Sequence, residues 1–114
     1  MNYINFEAGN KAYKLRLNTR NIVLLEKQLG CNPLNIFGAS GDTVPTITVM
    51  VTILHASLQQ YNHGITLNDA YDIFDEYVAD GNATTDFIPV ILEIYKASGI
   101  IPKDAKEEEE AKND

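Results

Sequence analysis

One stretch constrains the fold of this chain more than any other: Val44 to Tyr61, VPTITVMVTILHASLQQY. Wound as a helix, it sets Ile47, Met50, Val51, Leu54, Leu58 and Tyr61 on one face at helical spacing. Val49, Ile53 and Ala56 lie on the other side, so little of the surface is polar. A helix that is apolar nearly all round belongs inside a small protein, with other elements packed against it. Thr46 to Ile53 also alternates as a strand would, and β-branched residues are dense there. Length decides for the helix. Eighteen residues without a turn signal are too many for an ordinary strand, and LHASLQQ consists largely of good helix formers. Thr43 is the expected cap, with Pro45 in the first turn, where its missing N–H costs nothing.

The elements around this helix follow in order. Residues 2–7 and 12–17 read as a β-hairpin: Ile4 and Phe6 alternate with Asn5 and Glu7, and Tyr13, Leu15 and Leu17 with Lys14 and Arg16. Gly9-Asn10 between them suits a two-residue turn, expected as type II′. Asn18 or Thr19 caps a helix over 19–29, with Ile22, Leu25 and Leu29 as its stripe and Val23 and Leu24 widening it. Gly30 ends it. Asn32-Pro33 starts a short helical turn through Phe37, and GASGD at 38–42 is a loop. Thr66 and Asp69 form a capping box for a helix over 67–80, whose buried face is predicted as Leu67, Ala70, Tyr71, Phe74, Tyr77 and Val78. Thr85 or Asp86 caps a last helix near 86–98, with Pro89 tolerated in its first turn.

The predicted fold is therefore α+β, mainly α: an N-terminal β-hairpin followed by a small bundle of about four helices. Residues 1–102 form one globular domain, with Leu25, Leu29, Leu54, Leu58, Phe74 and Ile91 expected in the core. Residues 103–114 form an acidic tail with nothing beyond alanine to bury, expected to be disordered.

Charge is segregated along the chain. The net charge is −7. Lys11, Lys14, Arg16, Arg20 and Lys27 lie near the start, and no Lys or Arg occurs from Gln28 to Tyr95. That span carries Asp42, Asp69, Asp72, Asp75, Glu76, Asp80, Asp86 and Glu93. A body of this kind is a poor partner for nucleic acid. There is no apolar run long enough to span a membrane, and MNYINFEAGNK lacks the basic start and apolar core of a signal peptide, so a cytosolic protein is expected.

No catalytic or metal constellation emerges. His55 and His63 have no third ligand near them in sequence. Asp80-Gly81-Asn82 fails as a calcium loop: with Gly81 sixth, Val78 falls third and Phe87 twelfth, where a bidentate acid is required. Cys31 stands alone, without a base close in sequence, and reads as a small buried hydrophobe. No cofactor and no enzymatic activity are expected. The feature that bears on function is the pair of charged regions. Lys14, Arg16 and Arg20 of one copy are the candidates to face Asp72, Asp75, Glu76 or Asp80 of another, in a contact between unlike patches. The competing reading of the acidic stripe is a solvated helix face.

Three runs together resemble a known family: LRLNTRNIVLLEKQLG (15–30), NPLNIFG (32–38) and ILHASLQQYNHGITLNDAYDIFDEY (53–77), with the glycine that follows. In this order they are similar to the tail assembly chaperones of long-tailed phages and prophages of Gram-positive bacteria. The resemblance covers nearly all of 1–101 and contains no catalytic motif. It implies a non-enzymatic protein of the host bacterial cytoplasm, absent from the mature virion. Such proteins coat the long, aggregation-prone tape measure protein while tail tube subunits assemble around it. The implied partners are the tape measure protein, the tail tube protein and further copies of the chain, as a homo-oligomer. In the family, a ribosomal frameshift yields a second, longer product, and this chain would be the short form. No family motif fixes the client-binding positions. The alternative, from another class, is an acidic inhibitor that imitates DNA. The net charge suits it, but five basic residues within 11–27 do not.

Overall fold

A computed structural model describes residues 2–102 of the protein. Strands β1 (Ile4–Ala8) and β2 (Lys11–Leu15) form an antiparallel hairpin, pairing Ile4 with Leu15 and Phe6 with Tyr13. Helices α1 (Thr19–Leu29), α2 (Ile47–Leu58), α3 (Leu67–Ala79) and α4 (Phe87–Ala97) follow, with 3₁₀ turns at Pro33–Phe37 and Thr84–Asp86. The α+β fold, a hairpin followed by a four-helix bundle, is the one the residue pattern predicts. The tail expected at 103–114 lies outside the described residues.

The turn between the strands differs from expectation. Gly9 has φ 58° and Asn10 φ 65°. Positive φ at both central positions is the type I′ pattern, not type II′. Asparagine tolerates the left-handed region, so both residues take it.

Helix α2 is central, with α1, α3, α4 and β2 all packing against it. Met50, Val51, Ile53, Leu54, Ala56, Ser57 and Leu58 are buried, so it is enclosed on most sides. Its one buried polar side chain, Ser57, donates to the Leu54 carbonyl at 2.9 Å. The helix begins later than predicted. Thr46, not Thr43, is the cap, its hydroxyl accepting from the Val49 N–H at 3.2 Å. Pro45 disfavours helical geometry in Val44 before it, which tells against Thr43 as the cap. The Thr43 N–H bonds the Phe37 carbonyl instead.

The core joins the hairpin to all four helices. Phe6, Ala8, Leu15 and Leu17 meet Leu25, Leu54, Phe74, Tyr77, Phe87, Ile91 and Tyr95. Of the six core residues predicted, Leu29 is only half-buried and the other five are buried. Phe6, Phe74, Tyr77 and Phe87 make an aromatic cluster, with Phe87 edge-on to Phe6 at 5.7 Å and to Phe74 at 5.4 Å. Two polar ties close the far side. The buried Tyr95 hydroxyl donates to the Pro33 carbonyl at 3.0 Å, and the Leu17 N–H donates to Ser98 Oγ at 2.9 Å.

Three predicted faces are shifted. On α3 the buried side is Ala70, Ile73, Phe74 and Tyr77, while Leu67 and Tyr71 are exposed. On α1, Val23 and Leu24 do not widen the core stripe but face outward. Ile47 and Tyr61, expected on the buried face of α2, are also exposed. The last helix starts at Phe87. The Asp86 carboxylate accepts from the Ala83 N–H at 2.9 Å, closing the 3₁₀ turn before it.

Candidate functional site

The seven charged residues expected to mediate self-association fall into separate places. Lys14 on β2 holds its ammonium over the rings of Tyr3 (4.9 Å) and Tyr61 (5.8 Å). Arg16 is half-buried, donating from Nη1 to the Gln60 side chain at 3.1 Å. Both are engaged within their own chain. Arg20 lies in the first turn of α1, away from the sheet residues in sequence and exposed.

The acidic four divide as well. Asp80 accepts the Gly9 N–H at 2.8 Å, which pins the hairpin turn to the end of α3. A Cβ at Gly9 would run into the Glu76 carboxylate, so Glu76 covers the same turn. Glu76 also reaches Tyr13: burial first, and the Glu76 charge second, raise the Tyr13 hydroxyl above its ordinary pKa. Glu76 and Asp80 thus serve the fold from within. Asp69 serves it too. Hydrogen bonds from the Thr66 N–H and hydroxyl hold its carboxyl below the ordinary value, the mark of a reciprocal cap. Asp72 and Asp75 remain exposed. Among the described residues, no ion pair involves Asp72, Asp75, Arg20 or Lys27.

Two partly apolar surfaces carry those charges. The first is a groove of about 390 Å³ between α2 and α3. Val51 and Phe74 form its floor; Ile47 (50 % exposed) and Tyr71 (42 % exposed) stand at its rim, beside Asp72 and Asp75. The second is the outer face of α1. Arg20, Val23, Leu24 and Lys27 are spaced i, i+3, i+4, i+7 and share one side of the helix. Val23 is 43 % and Leu24 50 % exposed, with a basic residue one turn before and one turn after the pair. Clustered apolar side chains of this kind, rimmed by charge, are the form that protein interaction sites take. The residue pattern places Val23, Leu24, Ile47 and Tyr71 on the apolar faces of their helices. For Val23, Leu24 and Tyr71 the signal that separates them is a charged residue three or four positions away on the same helix; Ile47 has no such neighbour.

No group of His, Cys, Asp and Glu among the described residues could hold a metal ion. Cys31 is a half-buried free thiol, and His55 and His63 stand apart from any acidic cluster. No helix among the described residues is long and apolar enough to cross a membrane.

The arrangement defines a small hairpin-and-helix domain with exposed apolar residues flanked by charge on α1 and between α2 and α3. The chain belongs to DUF6096, a family of unknown function, whose pattern matches residues 4–114. No curated protein and no solved structure matches it.

Proposed function

We propose that this protein is a self-associating tail assembly chaperone, a non-enzymatic protein that coats a tape measure protein while a phage tail is built. The observation that carries the reading is the order of the runs at 15–30, 32–38 and 53–77, which are similar to those of that family. The surfaces support it. A protein that polymerises along a long helical client needs unlike faces that can join copies, and apolar area for a helix to lie against. The exposed groove between α2 and α3 and the outer face of α1 supply both kinds of surface. An inhibitor that imitates DNA would present a continuous acidic surface. Here Glu76 and Asp80 are turned to the chain's own hairpin, and the basic residues of α1 interrupt the pattern.

The test is co-expression with the tape measure protein encoded nearest its gene. The expected result is that the client, aggregated when made alone, becomes soluble and co-purifies with many copies of this chain. A client that stays insoluble, or one equally soluble without the chain, would sink the reading.

A further inference from the structure

The outer face of α1 and the groove between α2 and α3 match each other in chemistry. One presents two aliphatic side chains, Val23 and Leu24, bracketed by the cations Arg20 and Lys27. The other presents an apolar floor and rim, Val51, Phe74, Ile47 and Tyr71, flanked by the anions Asp72 and Asp75. We propose that the Arg20–Lys27 face of α1 in one copy docks into the α2–α3 groove of a second copy, with Val23 and Leu24 on its floor and the basic pair against Asp72 and Asp75.

The choice of occupant rests on what each charge already does. Lys14 is seated over two tyrosine rings and Arg16 bonds Gln60, so these two cations are committed within their own chain. Glu76 and Asp80 hold the hairpin turn. Arg20 and Lys27 form one basic pair and Asp72 and Asp75 one acidic pair, each outside any ion pair among the described residues and each beside exposed apolar residues of the same chain. Every copy carries both faces, so a second copy is always available as the partner. Burying the aliphatic pair would supply the attraction, and the rim charges would fix orientation and exclude other partners.

The consequence is directional growth. The two faces are different patches, so the contact is heterologous, and each added copy leaves one free groove and one free α1 face. Assembly then closes as a ring or continues as a filament. This inference rests on the self-association in the proposed function and names the surfaces that perform it.

Charge exchange in two variants tests it. One carries Asp72→Lys and Asp75→Lys, the other Arg20→Glu and Lys27→Glu. All four positions are exposed, so both variants are expected to melt within a few degrees of the wild type. At low ionic strength each variant alone should associate about tenfold or more weakly than wild type, because its own two faces now repel. An equimolar mixture should regain the wild-type mass. Lysine grooves then meet glutamate helices, and native grooves meet native helices. Near 1 M salt, where screening shortens to about 3 Å, the difference between the variants and wild type should shrink. Wild-type assembly by either variant alone, or a mixture no larger than its components, overturns the interface while leaving self-association standing. A wild type that is monomeric throughout overturns both.

Discussion

Replacing Phe87 by alanine is expected to remove about 3–5 kcal/mol of stability, the range for deleting a buried aromatic ring. The ring is fully buried at the start of α4. It stands edge-on to Phe6 of β1, to Phe74 of α3 and to Tyr77 of α3, so one side chain joins the hairpin to two helices. Domains of this size are stable by about 5–15 kcal/mol in total, so the loss removes a large share. Urea titration should show a lower midpoint with an unchanged slope, because the surface exposed on unfolding stays nearly the same. Phe87→Leu keeps most of the volume and should cost about 1–2 kcal/mol. A loss below about 1 kcal/mol for the alanine variant would mean that the cluster does not hold hairpin and helices together.

Tyr95→Phe is expected to cost about 1–3 kcal/mol, because the buried Pro33 carbonyl loses the hydroxyl that satisfies it. The same hydroxyl sets a pH dependence. Burial foremost, with a smaller contribution from Cys31, pushes the Tyr95 pKa far above its ordinary value of 10.0. The folded-state pKa is raised, so the unfolded chain releases the proton first as the pH climbs. The stabilisation is complete below pH 10 and is lost progressively above it. Tyr13 and Tyr77 are shifted the same way, chiefly by burial, and add to the slope. Stability followed by denaturant titration should therefore be flat through neutral pH and fall above about pH 10. The phenylalanine variant should fall less steeply. An identical alkaline slope in variant and wild type would place the effect elsewhere.

The architecture was readable because local pattern and tertiary packing agree over most of the chain. Alternation across Ile4–Ala8 and Lys11–Leu15, with Gly9-Asn10 between them, specifies a hairpin. The apolar density of α2 specifies a central helix, even though its first half is rich in β-branched residues. Enclosure by α1, α3, α4 and β2 outweighs the weak strand preference of those residues. Boundaries were less readable. Thr43 and Thr46 are both plausible caps by residue type, and only the geometry imposed by Pro45 separates them.

The candidate site was legible as charge and illegible as contact. Segregation of Lys and Arg from Asp and Glu is visible in the residues alone. That Asp80 bonds Gly9 is not, because the contact joins positions 71 apart in sequence. The sides of α1 and α3 were misjudged for a related reason. Periodicity shows that a helix has an apolar side, but not how far its neighbours reach across it. Val23 and Leu24 on α1, and Leu67 and Tyr71 on α3, lie just beyond that reach.

The measurement that bears most directly on this account is the molar mass of the purified protein by light scattering across a wide concentration range. One chain is 12.7 kDa. A self-associating chaperone joined by unlike faces predicts a mass that exceeds two chains and rises with concentration toward a closed ring or an open filament. It also predicts a modest fall in mass as salt is added, because the rim charges are screened while the apolar contact is not. A mass that stays at 12.7 kDa at every concentration and at low salt would contradict the account.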